Sequence, residues 1–328
     1  MLKTGKINEN VLARSVLKLI KHKHKNVIVP AAKGEDAAVI NVGNGSCIVT
    51  AVETVTLETD CAAALCVDKA INNIAASGGT PVSVSASVLM PEGYEESNLK
   101  IIIRQIDEEC TKENIAYTGG HTEVSKAVNN PVITVSATGT VTGDGIIRTK
   151  GARPGDSIIV TKCIALSGTS VIASNKKEEL LKRFDRAFVN RAIDFHNDLS
   201  ITSEAVVARE NNASAMHDVS GGGICAALWE LGAASSVGMK VNIRDIPIMQ
   251  ETVEICEEYG LNPYEMLSDG ALIITSSDAE QMLSALEEAN IYASIVGTIT
   301  EGNDRLLING DESQYINLSR ADEIYKII

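Results

Sequence analysis

At 328 residues the chain is long enough for two domains, and 45% hydrophobic with 22% charged residues is the balance of a globular protein with a packed core. A formal net charge of −14 disfavours nucleic acid and anionic lipid as partners. No apolar run reaches the roughly 18 residues a membrane span needs, and the polar start MLKTGKINENVLARS lacks a signal-peptide core, so a cytoplasmic location is expected.

Aromatic residues make up only 3%, so the core must be packed from Val, Ile, Leu and Ala. The seven cysteines are dispersed with no C-x-x-C pair, which reads as reduced, buried thiols rather than disulfides or zinc ligands. The compact basic run Lys21–Lys25 reads as the solvated end of the first helix.

The spacing of Val11, Leu12, Val16, Leu19 and Ile20 predicts an amphipathic helix over 8–20. Two apolar runs, 37–42 and 47–55, flank Gly43-Asn44-Gly45 and predict a β-hairpin. A helix is expected over 60–77, a strand with one buried face over 81–90, a helix over 95–113, and strands near 115–118 and 131–141. The polar turn-forming segment 149–156 marks a domain boundary, giving domains of 1–150 and 151–328. Beyond it, strands are predicted at 157–161, 215–217, 239–243, 271–275, 293–299 and 305–308. Helices are predicted at 169–174, 191–210, 223–235, 252–259 and 278–289. Periodicity leaves open whether each half is α+β or α/β.

Four Gly-rich or polar segments stand where strands give way to helices: Lys33–Ala38, Asn72–Pro81, Gly119–Glu123 and His217–Gly223. Glycine lets backbone N–H groups approach an anion at a helix N-terminus, so such turns are where phosphate sites form. Each alone is weak evidence, because glycine turns before helices also arise for steric reasons.

In this order, together with Pro154–Thr161 and Gly168–Ala173, the segments resemble the superfamily of aminoimidazole ribonucleotide synthetase. Its pattern runs G-x-D-A-A-V, N-D-I-A-x-x-G-x-x-P, G-G-x-T, P-G-D-x-I-I-V-T, G-T-x-x-x-A and H-D-V-S-x-G-G. The stretch from His217 to Val241 looks most similar to the hydrogenase-maturation branch. The resemblance implies a two-domain α+β fold. The N-terminal sheet would pair with a second subunit into a barrel-like homodimeric core, and the C-terminal domain would be of α/β type. It further implies ATP with Mg2+, and transfer of the γ-phosphoryl group to an oxygen of a small-molecule or protein-borne substrate.

For the site, the resemblance implies Asp36, Glu53 and Glu123 as metal ligands. Asp36, Asn73, Gly119, Gly120, Thr122, Gly168, Thr169, Gly221 and Gly222 would contact the nucleotide, with His217 and Asp218 as catalytic groups. The residues themselves add Lys33 and Lys69 as phosphate contacts and His121 as a catalytic proton carrier, a position where the family does not require His. The chain departs from the pattern at Asn73, where a carboxylate has become an amide, and no cysteine follows Cys256. A neutral ligand weakens a hard-cation site, and Lys69, one turn before Asn73, is placed to supply part of the missing positive charge. These departures keep open a nucleotide-binding homodimer with a regulatory or scaffold role. A phosphoribosylformylglycinamidine cyclo-ligase is a further alternative, disfavoured because the third motif reads Gly119-Gly120-His121-Thr122-Glu123.

Overall fold

The computed structural model describes residues 5–7, 9–317 and 321–328. Among them the chain forms two sheets joined by the segment around 143–156. The first contains β1 (Val27–Val29), β2 (Ala38–Gly43), β3 (Ser46–Val55), β4 (Thr80–Pro91), β5 (Ala116–Ser125) and β6 (Val132–Thr142), in the order β1-β2-β3-β6-β4-β5. All neighbours are antiparallel except β4 and β5, whose parallel pairing requires a crossover. Helices α1 (Glu9–Ser15), α2 (Ala62–Ala76) and α3 (Glu96–Lys112) belong to this half.

The second sheet holds β7 (Ser157–Thr161), β8 (Ala215–Val219), β9 (Gly238–Asn242), β10 (Ala271–Ser276), β11 (Ala293–Thr300), β12 (Arg305–Asn309) and β13 (Glu312–Tyr315), in the order β13-β12-β9-β11-β7-β10-β8. Its helices are α4 (Leu166–Asn175), α5 (Lys177–Leu180), α6 (Arg186–Asp194), α7 (Thr202–Glu210), α8 (Gly223–Ser235), α9 (Gln250–Tyr259) and α10 (Ala279–Glu288). The mixed α+β architecture with two sheets is the one expected.

Period-two alternation buries one face of the first sheet. Val49, Ala51, Val84, Val88, Val135 and Ala137 point inward against α2, while Thr50, Ser85, Ser136 and Thr138 alternate onto the other face. Exposed Val52, Val82 and Val124 also lie in this sheet. Helix α2 is buried along nearly its whole length, which its six alanines, one Leu and two Ile make possible without steric crowding. It is one of the elements that join the halves. Asn72 on α2 donates from Nδ2 to the Leu199 carbonyl at 2.7 Å, and its Oδ1 accepts the Ile201 amide at 2.9 Å.

Three sequence expectations change. The first helix is short: α1 ends at Ser15, and Val16, Leu19 and Ile20 stay exposed, so the stripe has no core to cover; its expected start, Asn8, lies outside the described residues. The helix expected over 191–210 is three pieces, α6, a 3₁₀ turn over Phe195–Asp198 and α7. The break lets Leu199 and Ile201 meet Asn72. The Gly119–Glu123 segment is not a loop but lies inside strand β5. There Gly120, at φ +148°, passes so close to the backbone of Ala86 that a Cβ would collide with its carbonyl, beside a register shift between β4 and β5. Steric need accounts for this glycine.

Removing the Asn72 amide leaves a buried carbonyl and a buried N–H without partners. Asn72→Ala should cost on the order of 2–3 kcal/mol of unfolding free energy, read from the denaturant midpoint; an unchanged midpoint would mean the halves are not joined there.

Candidate active site

A cleft of about 530 Å³ opens between the halves, floored by the end of β3, by α2 and by the start of α8. The loop carrying Asp36 is packed against α8. Gly34, at φ +66°, lies where a Cβ would come within 3.2 Å of the Glu230 carbonyl, so a larger residue would lift the loop and Asp36 with it. Glu35 is anchored by Arg148, whose Nε donates to Oε1 at 2.9 Å.

Strand β8 delivers His217 and Asp218 to the same place. Asp36 Oδ1 lies 2.7 Å from His217 Nδ1, an ion-pair contact outside good hydrogen-bond alignment, and Glu230 Oε2 lies 3.1 Å from Nε2. Lys6 closes the chain from the other side, with Nζ donating to Glu230 Oε1 at 3.0 Å. Burial works against a charged imidazole, but the carboxylates of Asp36 and Glu230 outweigh it and raise the His217 pKa well above the usual histidine value. Glu230 is also penalised by burial, yet its bonds to His217 and Lys6 bring it down to about 2. Both ring nitrogens of His217 thus face carboxylates, the arrangement of a clamped cation, and the ligand atoms of Asp36, His217 and Asp218 all lie within 4.8 Å of one another.

Asp218 is 8% exposed and sits in the cleft beside Asp36. Burial, then the charge of Asp36, pushes it up to about 8, against the pull of His217 and Lys69. Glu53, from β3, accepts from Asn73 Nδ2 at 2.9 Å through Oε1. Lys69 donates to Asp269 Oδ1 at 2.9 Å. Asp36 and Asp218 bring carboxylate oxygens within 4.8 Å of one another, Glu53 lines the same cleft, and the mutual repulsion of such groups is what a hard divalent cation relieves. This donor set fits Mg2+.

The structure brings Asp36, Glu53, Lys69, Asn73, His217, Asp218, Gly221 and Gly222 to this one cleft. The other expected site residues lie elsewhere. Gly119, Gly120, His121, Thr122 and Glu123 lie on the exposed edge strand β5, three strand spacings or about 14 Å from β3; there His121 Nε2 pairs with Glu123 Oε2 at 3.1 Å. Lys33 lies over the Trp229 ring at 5.9 Å. Gly168 and Thr169 are packing residues of α4: the Gly168 amide donates to Leu267 O at 3.0 Å and the fully buried Thr169 hydroxyl to Ala165 O at 2.7 Å. Even within the cleft the expected anion seat is changed, because the Gly222 amide donates at 2.7 Å to Asp322, a carboxylate of the chain itself.

Sequence reasoning missed Glu230, Asp269 and Asp322. Glu230 did leave a signal, as the one charged residue in the thirteen of α8.

Family profiles match along most of the chain. The AIR synthase related protein N-terminal domain covers residues 34–141, and the AIR synthase related protein C-terminal domain covers 153–308. The chain belongs to the AIR synthase related protein family. A hydrogenase expression/formation protein of Methanocaldococcus jannaschii is 26% identical over 93% of this chain and 91% of its own length. The carbamoyl dehydratase HypE of Rhizobium leguminosarum is 29% identical over 68% of this chain; the match spans 63% of that relative. Among solved structures, HypE in a HypE–HypF complex superposes with a TM-score of 0.76 at 18% identity, over 94% of this chain and 99% of its own. AaThiL complexed with AMPPCP and TMP gives 0.74 at 20%, over 95% and 97%. These likenesses establish a fold shared with HypE and ThiL. No described helix is long and apolar enough to cross a membrane.

Two predictions follow from the charges. His217→Ala leaves two buried carboxylates without their cation and should cost about 3–5 kcal/mol, measured by chemical denaturation; a loss below about 1 kcal/mol would contradict the clamp. Asp218 binds its proton more tightly when folded, so in chelator it should make stability fall as pH rises from about 4 towards 8. Asp218→Asn should flatten that part of the Tm–pH curve, and an unaltered slope would assign it to other groups.

Proposed function

We propose that the chain is an ATP-dependent enzyme that seats nucleotide and Mg2+ in the cleft between its halves and transfers the γ-phosphoryl group to an oxygen of a small or protein-borne substrate. The observation that carries this reading is that Asp36, Glu53 and Asp218 line one cavity of about 530 Å³, within the size range of ligand sites, with oxygens of Asp36 and Asp218 within 4.8 Å of one another. The relatives support it: the cleft occurs in a fold shared with HypE, which has been solved in complex with ATP, and with ThiL, solved with AMPPCP.

Bound magnesium would neutralise phosphate charge, the main requirement of phosphoryl transfer along with in-line placement. Asp36, Glu53 and Asp218 would hold it. His217 keeps Asp36 fixed, and Lys69 adds positive charge at the cleft floor. The chain needs no nucleophile of its own, because the attacking oxygen belongs to the substrate. A homodimer through the Ser/Thr-lined outer face of the first sheet is part of this proposal, supported by exposed Val52, Val82 and Val124; the halves on either side of the 149–156 segment would act as its two domains.

A second reading, a nucleotide-binding homodimer without turnover, is favoured by one observation, the occupation of the Gly222 amide by Asp322. The two separate by experiment. The enzyme reading expects Mg2+-dependent thermal stabilisation by ATP and slow ATP hydrolysis. Asp36→Asn should lower that turnover roughly 100-fold or more. Stabilisation that persists in chelator, with no turnover, would favour the second reading; no stabilisation by any adenine nucleotide would defeat both.

A further inference from the structure

Lys69 lines the cleft with its side chain only 11% exposed, and its ammonium is held in place from the other half of the molecule. Asp269, 1% exposed, accepts from Lys69 Nζ at 2.9 Å through Oδ1 and from Ser167 Oγ at 2.7 Å through Oδ2. The Asp269 amide donates back to Ser167 Oγ at 2.8 Å, which closes the support. From this fixed position the Lys69 charge acts on Glu53 and Asp218 as well as on Asp269.

The remaining ligand capacity of the cleft is small. One oxygen of Asp36 is engaged by His217, its other is touched by the Thr149 hydroxyl only at 3.5 Å, and one oxygen of Glu53 is engaged by Asn73. What is left is that long-bonded oxygen of Asp36 and one oxygen of Glu53, together with Asp218. That set can hold one divalent ion and leave its other positions to phosphate and water. Many phosphoryl-transfer sites clamp the phosphates between two ions. Here a second ion would have to lie against Glu53 and Asp218, beside an ammonium that cannot swing away.

We propose that Lys69 is a built-in cation standing in for a second divalent ion, so that the cleft takes one divalent cation with its nucleotide. Asp269 and Ser167 are the positioning residues that keep the ammonium there. The stoichiometry rests on the nucleotide reading given above, whereas the effect of Lys69 on metal affinity does not.

The test counts Mn2+ by electron paramagnetic resonance on the full chain, with the metal alone and with saturating AMPPCP. Wild type should bind one tight Mn2+ per chain with AMPPCP, and Lys69→Met should bind two. With metal alone, Lys69→Met should bind Mn2+ about tenfold more tightly or better, since a unit positive charge has left its neighbourhood. Asn73→Asp is nearly isosteric and leaves the lysine in place, so it should still bind one ion and decides the question if Lys69→Met does not fold. Two ions in wild type, a second ion in Asn73→Asp, or unchanged Mn2+ affinity in Lys69→Met would overturn the proposal. Failure of wild type to bind AMPPCP would remove the nucleotide reading, and the metal-alone comparison would still decide the role of Lys69.

Discussion

A charged imidazole between two carboxylates holds the cleft together. Asp36 comes from the first half, His217 and Glu230 from the second, and Lys6 completes the line from near the N-terminus. Neither carboxylate could be buried alone at tolerable cost, and neither could the imidazolium. Together they fix the relative position of the loop before β2 and strand β8, on which every other feature of the site depends.

Of the further polar bridges that cross the same boundary, two come from α2. Asn72 reaches the backbone at Leu199 and Ile201, and Lys69 reaches Asp269. A helix that is Ala-rich and almost wholly buried would otherwise slide along its apolar surroundings. Its polar residues set the register between the halves, and the same register brings Asn73 and Lys69 to the cleft. The fold's specificity and the site's geometry therefore rest on the same side chains.

Much of this was legible in the sequence. Alternation located β3, β4 and β6 closely, and the glycine punctuation around 43–45 and 221–223 marked the hairpin and the start of α8. The first, second and fourth motifs each bring a singled-out residue to the cleft, Asp36, Asn73 and His217, while Lys33 of the first lies outside it. Sequence reasoning read the third as a loop because a glycine required by strand crowding at Ala86, Gly120, looks the same, in sequence, as one required by a phosphate. Gly168 and Thr169 mislead for the same reason, since close packing against Leu267 also selects Gly. Glu230, Asp269 and Asp322 were invisible as partners because their roles depend on contacts with residues far along the chain, 13 positions from His217 in the first case and 200 from Lys69 in the second. No local pattern encodes such a distance.

The central claim is that one acidic wall in the cleft between the halves seats a metal–nucleotide complex. The most direct measurement is a crystal structure grown with AMPPCP and Mn2+, with anomalous diffraction recorded to locate the metal. The account predicts an anomalous peak bounded by Asp36, Glu53 and Asp218, with triphosphate density beside it. A peak and nucleotide density elsewhere, with that wall holding only water, would contradict it.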